Sequence, residues 1–343
     1  MNRETVSYSR RSLLRIGSRS LALAVVAGGL RPLRADSGNR ILVGIHLFNG
    51  IGGDDPVIPI DEYSAYARLR SRNVIPSDKL IPLGGDVRGG RFGLHPSLLE
   101  IRDLYDNGSA AVVGNVAWSE SGAAPVGDLA YRSLRFLPNG YSTPAWASPA
   151  GTPVYVFRGG ISLVTREAGP ANESMRDALA QRAASVPLST PFPPTFIGRQ
   201  LRLAAGLIPA AAALGIRVPV LMAPVGGFVA GVQDLNARIY GDVSQALSAF
   251  YRATVELGID RQVTVFTDSD STRRFGAGQV VVGGSVLGGR TYSAGELNRN
   301  LRTTPYEQYA ATLGYWSGLG LPELFQSLPG LATLSTPTLG FLE

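Results

Sequence analysis

The first half of the chain contains two stretches in which apolar, often β-branched residues follow one another almost without a polar break. Residues 40–47 read R-I-L-V-G-I-H-L, and residues 110–116 read A-A-V-V-G-N-V. Runs of this length and composition are typical of strands that are covered on both faces of a sheet. They predict two buried strands.

Between these strands the spacing of apolar residues changes to that of a helix. One helix is predicted over residues 60–72, and a second over residues 97–105, with Pro96 at its start and Asn107-Gly108 just beyond its end. The order strand, helix, helix, strand is typical of an α/β sheet with helical crossovers.

The second half of the chain resumes this alternation after a long interruption. Residues 118–194 are rich in Gly, Pro and Ser and predict an irregular, loop-rich insertion with one helix over residues 173–185. The whole pattern predicts one doubly wound α/β domain over residues 36–343, with a mostly parallel sheet and helices on both faces. After the insertion we expect a helix over 197–214, a strand over 218–223, a helix over 234–257, strands over 262–267 and 280–286, and a helix over 306–317.

The chain of 343 residues has a formal net charge of +6, and the location of that charge decides what it means. The first 35 residues contain seven arginines and one glutamate, whereas basic and acidic residues balance in the remainder. A nucleic-acid-binding domain would carry its basic patch on the folded part of the chain. The neutral remainder therefore argues against a nucleic-acid partner.

The arginine-rich start has the organisation of an export signal. Residues 9–15 read S-R-R-S-L-L-R, with Arg10 and Arg11 as the pair of a twin-arginine signal, and an apolar run follows over residues 20–30. That run is too short for a bilayer, which needs about 20 residues. We expect export of the folded protein by the twin-arginine translocase to the periplasm or the medium. The signal is expected to be cleaved near Ala35, with retention as an anchor as the open alternative.

We expect no membrane span in the mature chain. Its most apolar stretch, residues 203–214, is short and is interrupted by Pro209. A proline inside a short apolar run favours a helix of the protein core over a helix that crosses a membrane.

Candidate chemistry lies where predicted strands end, because ligands of doubly wound sheets bind at the carboxyl ends of the strands. Three loops stand out, at residues 49–55, 226–233 and 268–274. The carboxylates of D-S-D at residues 268–270 could hold a hard cation, or they could be solvated turn residues. The charged candidates in these loops are Asp54, Asp55, Asp268, Asp270, Arg273 and Arg274.

Histidine is scarce, and this excludes several kinds of site. The chain has two histidines, His46 and His95, and no cysteine, so the usual Cys- or His-rich zinc cluster is excluded. A serine triad would need one of them as its base, and no G-x-S-x-G motif is present. The glycines at residues 50–53 lack the spacing of a dinucleotide fingerprint. We expect His46 to be a core or sheet-face residue and His95, before Pro96, to make a structural hydrogen bond at a helix entry.

Six motifs occur in the order of a known family: I-L-V-G-I-H-L-F-N-G at 41–50, F-G-L-H-P-S-L at 92–98, F-P-P-T-F-I-G-R-Q-L-R at 192–202, S-Q-A-L-S-A-F-Y-R-A-T-V-E-L-G at 244–258, V-V-G-G-S-V-L-G-G-R-T-Y at 281–292 and T-T-P-Y-E-Q-Y-A-A-T-L at 303–313. Over nearly the whole mature chain they resemble the domain of unknown function 1501 family, exported bacterial proteins with twin-arginine signals. The resemblance implies an alkaline phosphatase and sulfatase-like fold. In that superfamily, Asp and His residues hold divalent cations that polarise a phosphate or sulfate ester.

The chain departs from the family pattern at the residues that would hold such cations. The family's G-G-F-D-T-H is replaced by Gly226-Gly227-Phe228 followed by V-A-G, and its D-H after S-D-F-G-R is missing, because F-G-A-G-Q runs straight into Val280. In the first loop Asp54 and Asp55 are displaced from the family's G-G-x-D-G, and V-G-D at residues 126–128 stands for a family S-H-D. Loss of even one supporting residue of a metal site costs about 10- to 100-fold in affinity.

These departures predict an exported pseudoenzyme without bound metal or other cofactor. It would act as a non-catalytic binding or assembly protein in the cell envelope, beside an envelope protein partner. The alternative is a metal-dependent hydrolase of phosphate or sulfate esters whose rebuilt site uses Asp54, Asp55, Asp268 and Asp270. That alternative requires the carboxylates to converge to about 2.0–2.6 Å from a shared Mg²⁺ or Ca²⁺.

Overall fold

The computed structural model describes residues 40–47, 56–70, 74–84, 90–117, 135–136, 142–143, 154–157, 161–164, 170–216, 218, 220–229, 231–269, 276–293, 296–298 and 301–343. The strands in these ranges are β1 (Ile41–Leu47), β2 (Val57–Pro59), β3 (Ile81–Pro82), β4 (Phe92–Leu94), β5 (Ala110–Ala117), β6 (Arg135–Phe136), β7 (Ser142–Thr143), β8 (Val154–Phe157), β9 (Ile161–Val164), β10 (Val220–Val225), β11 (Val263–Ser269), β12 (Ala277–Gly283), β13 (Arg290–Tyr292), β14 (Glu296–Asn298) and β15 (Leu301–Pro305). The α-helices are α1 (Tyr63–Arg70), α2 (Leu99–Asp106), α3 (Pro170–Ser185), α4 (Phe196–Ala213), α5 (Gln233–Glu256), α6 (Tyr306–Trp316) and α7 (Leu321–Ser327).

Ten of these strands form one mixed sheet in the order β14-β15-β5-β12-β11-β1-β10-β8-β9, with β13 also paired to β5. The strands β1, β5, β8, β10, β11, β13 and β15 share one direction, and β9, β12 and β14 run against it. The sheet is therefore mostly parallel, and the predicted α/β class is confirmed.

Side chains of the central strands alternate between two hydrophobic cores, because successive residues of a strand point to opposite faces of the sheet. In β1, Val43 and Ile45 belong to the first core, which also contains buried residues of α2, α3, α4 and α5. Leu42 belongs to the second core, together with buried residues of α6 and α7. The sheet thus carries helices on both faces.

The structure adds strands where the sequence pattern predicts loops. The range 118–194 contains the predicted helix as α3, and its described part also contains β8 and β9, which extend the main sheet beyond β10. Each of these strands has only four residues, V-Y-V-F and I-S-L-V. Runs that short have no clear periodicity of their own. Pairing of β8 with β10 therefore depends on tertiary contacts that the local pattern does not contain.

The segment between α3 and α4 is held by one carboxylate at the end of α5. Glu256 accepts hydrogen bonds from the backbone N–H of Thr190 at 2.9 Å and from its hydroxyl at 2.6 Å, and a third from the backbone N–H of Ser189. These hydrogen bonds stabilise the charged form and lower the pKa of Glu256 to about 2. The bonds connect the chain before α4 to the far end of α5.

Candidate functional site

The three predicted ligand loops follow strands that end at the same edge of the sheet. Strands β1, β10 and β11 are parallel neighbours, and Leu47 stands opposite Val225 on one side and Ser269 on the other. The loops after these three strands therefore start side by side. We refer to this edge, at the carboxyl ends of the parallel strands, as the carboxyl edge.

His46 and Asp268 face each other at the carboxyl edge. They are register partners in β1 and β11, and His46 Nδ1 lies 3.6 Å from Asp268 Oδ2. The side chains are largely buried, with 16% and 9% exposed. Asp268 Oδ1 also accepts a hydrogen bond from the Ser269 backbone N–H at 2.8 Å. Of the two expected placements, core or sheet face, His46 has the second. It also has an acidic neighbour, Asp268, that the sequence did not reveal.

Two hydrogen bonds fix Thr267, the residue before Asp268 in β11. The Tyr309 hydroxyl donates to the Thr267 carbonyl at 2.8 Å, and the Thr267 hydroxyl donates to Gln279 Oε1 at 2.7 Å. Burial, with smaller contributions from the charge of Asp268 and from Tyr306, raises the pKa of Tyr309 well above its ordinary value. The phenol therefore stays protonated and remains a donor beneath Asp268.

The other end of the carboxyl edge contains a buried arginine and a strained asparagine. Arg70, the last residue of α1, is buried and donates to the Gly276 carbonyl at 2.9 Å. Asn115 near the end of β5 has a φ of 41°, where β5 and β12 shift register. An ideal Cβ on Gly276 would lie 2.2 Å from Asn115 Oδ1, so this approach requires glycine. β-bulges of this kind are over-represented next to functional sites.

Neither Arg70 nor Asn115 is distinguished in the sequence. Arg70 reads as an ordinary basic residue in the last turn of a short helix, and Asn115 lies inside an apolar strand. A single asparagine near the end of an apolar run is only a weak indication of a residue with positive φ. The sequence alone therefore does not identify either residue as part of the carboxyl edge.

Several sequence-predicted residues lie outside the described residues. Asp54, Asp55, Asp270, Arg273 and Arg274 are among them, as are Arg10, Arg11 and Ala35 of the export signal and Asp128. Asp268 is the candidate carboxylate that the structure describes. The proposed convergence of the four carboxylates therefore remains a prediction.

The remaining histidine, His95, lies away from the His46 pair and makes the predicted structural hydrogen bond. Its Nδ1 accepts the Ser97 backbone N–H at 3.1 Å, just before α2 begins. Its ring lies 4.8 Å from that of Tyr240 on α5. Burial lowers the pKa of His95 to about 4, which keeps the ring neutral at pH 7.

The described part of the carboxyl edge does not by itself fit the metal centre that the family resemblance implies. Catalytic zinc sites use three protein ligands, and Mg²⁺ and Ca²⁺ sites rely on oxygen ligands. His46 and Asp268 supply two side chains. Within the described ranges there is no group of three His, Cys, Asp or Glu residues that could hold a metal ion.

Comparison with models of known protein families and with curated protein sequences gives no match for this chain. Among the helices that the structure describes, none has both the length and the apolarity needed to cross a membrane.

Proposed function

We propose that the protein is an exported, non-catalytic binding or assembly protein of the cell envelope, built on an alkaline phosphatase and sulfatase-like fold. The mixed, mostly parallel sheet with helices on both faces supports this assignment of the fold. The twin-arginine motif and the family resemblance support the export and the architecture. The ligand or partner would bind at the carboxyl edge, where open α/β sheets bind their ligands.

The observation that carries the non-catalytic proposal is the start of the loop after β10. In the family that the sequence resembles, G-G-F at this point is followed by Asp; here Phe228 is followed by Val229. Val229 is 45% exposed, and its backbone N–H and carbonyl are both bonded at 3.0 Å to the side-chain amide of Asn236. Where the family pattern has an Asp, this loop thus presents an apolar side chain on a fixed backbone.

A metal-dependent hydrolase of phosphate or sulfate esters is the second candidate, and the strand order favours it. Because β1 and β11 are adjacent and parallel, the loops that contain Asp54, Asp55 and Asp270 leave the sheet at neighbouring points beside Asp268. The four carboxylates would hold one Mg²⁺ or Ca²⁺, and the cation would supply the Lewis acidity that polarises the ester and activates water. This candidate shares the carboxyl edge with the first and differs from it in requiring a metal.

Metal analysis of the purified exported protein separates the two candidates. After dialysis against buffer without chelator, we expect less than about 0.1 divalent ion per chain, because Asp and His residues of the family pattern are replaced in this sequence. A panel of phosphate and sulfate esters with added Mg²⁺, Mn²⁺, Ca²⁺ or Zn²⁺ should give no turnover above the buffer.

Asp268→Asn is the variant that interprets a positive result, and Asp78→Asn is its control. Asp78 belongs to a short turn of 3-10 helix at residues 77–79, outside the strands and loops of the carboxyl edge. Its side chain is 74% exposed, whereas that of Asp268 is 9% exposed. Retention of one or more ions per chain, with ester hydrolysis that D268N abolishes and D78N leaves unchanged, would overturn the non-catalytic proposal and establish the hydrolase.

The export proposal is tested by changing Arg10 and Arg11 to lysine together. The twin-arginine route reads the arginine pair itself, so a change that preserves charge should stop export. We expect the double variant to accumulate uncleaved inside the cell, by at least about 10-fold over wild type in fractionation blots. Arg15→Lys is the matched control and should be exported normally. Normal export of the double variant would contradict a twin-arginine signal.

A further inference from the structure

A cluster of three tilted aromatic rings connects the entry of α2 to the loop after β10. The rings of His95 and Tyr240 are 4.8 Å apart, and those of Tyr240 and Phe228 are 5.1 Å apart. His95 precedes α2, Tyr240 belongs to α5, and Phe228 belongs to the loop of residues 226–232. All three side chains are buried, at 4%, 4% and 7% exposure. One core residue, Tyr240, therefore supports both its neighbours.

His95 is held in its neutral form by its surroundings. Its Nδ1 accepts the Ser97 N–H, so the ring proton of the neutral form is on Nε2. A second proton would place an N–H on Nδ1 against the Ser97 N–H, at the N-terminal end of α2, where the helix dipole disfavours a cation. Among the described residues, Tyr240 is the titratable side chain in ring contact with His95. The His95 backbone N–H donates to the Pro56 carbonyl. Burial lowers the pKa of His95, and no charged group of the described residues contributes to that shift.

The described residues of the loop after β10, 226–229, 231 and 232, contact Asn236 and Tyr240 of α5 and include glycines with positive φ. Asn236 binds the backbone of Val229, and Phe228 packs on Tyr240. Gly227 and Gly231 have φ angles of 97° and 80°, on either side of these contacts. Val229 and Val232 are 45% and 43% exposed. The Phe228 ring is thus the apolar anchor of a loop whose outer side chains face solvent.

We propose that His95 is an acid-sensitive latch for the loop of residues 226–232. Protonated His95 would leave its site beside Tyr240, because the charged ring loses its hydrogen bond and cannot be solvated there. Tyr240 then loses its ring contact with His95, and Phe228, which packs on Tyr240, loses part of its support. Acid would therefore increase local opening of this loop next to the carboxyl edge. This device is independent of whether the protein binds a metal.

Hydrogen exchange at pH 7 and pH 5, corrected for the intrinsic pH dependence of exchange, measures that opening. If the open loop gives His95 its ordinary pKa of 6.5 and the closed form keeps its pKa near 4, linkage predicts a rise of about 20-fold in the opening equilibrium of residues 226–232. Backbone amides of β11 and β12 should show no comparable rise, since the opening is local.

Because the chain has only two histidines, two variants test the assignment completely. His95→Gln offers a neutral acceptor to Ser97 and should remove the acid-dependent rise in the loop. His46→Gln, on the other face of the sheet, should leave it unchanged. A rise that persists in H95Q, or that appears equally in β11 and β12, would overturn the latch.

A titration of the wild-type protein followed by NMR keeps the test independent of whether H95Q folds. Two histidine ring signals are expected, and H46Q identifies which belongs to His95. The His95 signal should titrate with a pKa near 4. A His95 pKa above about 6, or loop exchange that does not change with pH after correction, would also overturn the proposal.

Discussion

Replacing Phe341 by alanine is expected to lower the free energy of unfolding by about 3–5 kcal/mol, because it leaves a cavity in a closed part of the second core. Phe341 is fully buried, and its ring lies 5.8 Å from that of Tyr292 and 5.9 Å from that of Tyr309. Its carbonyl also accepts the Leu287 N–H at 2.9 Å. Urea unfolding followed by tryptophan fluorescence measures the loss.

The matched control for F341A is the same change at an exposed phenylalanine. Phe196, the first residue of α4, is 51% exposed, and Phe196→Ala should change stability by no more than about 0.5 kcal/mol. Phe341→Leu keeps most of the volume and should cost less than about 1.5 kcal/mol. Equal losses for F341A and F196A would show that Phe341 is not buried as described.

Gly206→Ala is the second large expected effect, at about 2–3 kcal/mol of destabilisation. Gly206 lies in the middle of α4, where α3 crosses it, and an ideal Cβ on Gly206 would lie 2.1 Å from the carbonyl oxygen of Ala183. That neighbour is backbone, so the two helices would have to separate. Thermal or urea unfolding of G206A should show a midpoint well below that of wild type.

Gly241→Ala provides the opposite result in the same experiment. Gly241 lies within α5, and an ideal Cβ there would meet no atom within 4 Å. Alanine in an open helical position stabilises by roughly 0.5–1 kcal/mol, since it loses less backbone entropy on folding. Should G206A be as stable as G241A, the close crossing of α3 and α4 would be refuted.

The sequence alone does not show that Gly206→Ala and Gly241→Ala have opposite effects. Helical positions for both glycines follow from the spacing of their neighbours, and either could be judged a weak point of its helix. Only the packing of α3 on α4 distinguishes Gly206, because the contacting carbonyl belongs to a different helix. The same holds for Phe341, whose burial depends on contacts with Tyr292 and Tyr309.

The candidate site also has features that the sequence predicts and features that depend on tertiary contacts. The positions of the ligand loops, after strands that end near residues 47, 225 and 269, could be predicted from the sequence. Each strand is indicated by its own apolar run, and each loop by its turn residues. That His46 and Asp268 face each other could not be predicted, because it depends on the pairing of β1 with β11 and on their register. A shift of one residue in that register would place the two side chains on opposite faces.

The sequence by itself determined the α/β class, most of the helices and the candidate loops, because hydrophobic periodicity and turn residues act among neighbours along the chain. It also determined the concentration of net charge in the first 35 residues. The tertiary structure decided the strand order, the His46 and Asp268 pair, the Arg70 contact with Gly276, and the ring cluster of His95, Tyr240 and Phe228. Each of these joins segments that are distant in the chain, and their meeting depends on how the two cores pack as a whole.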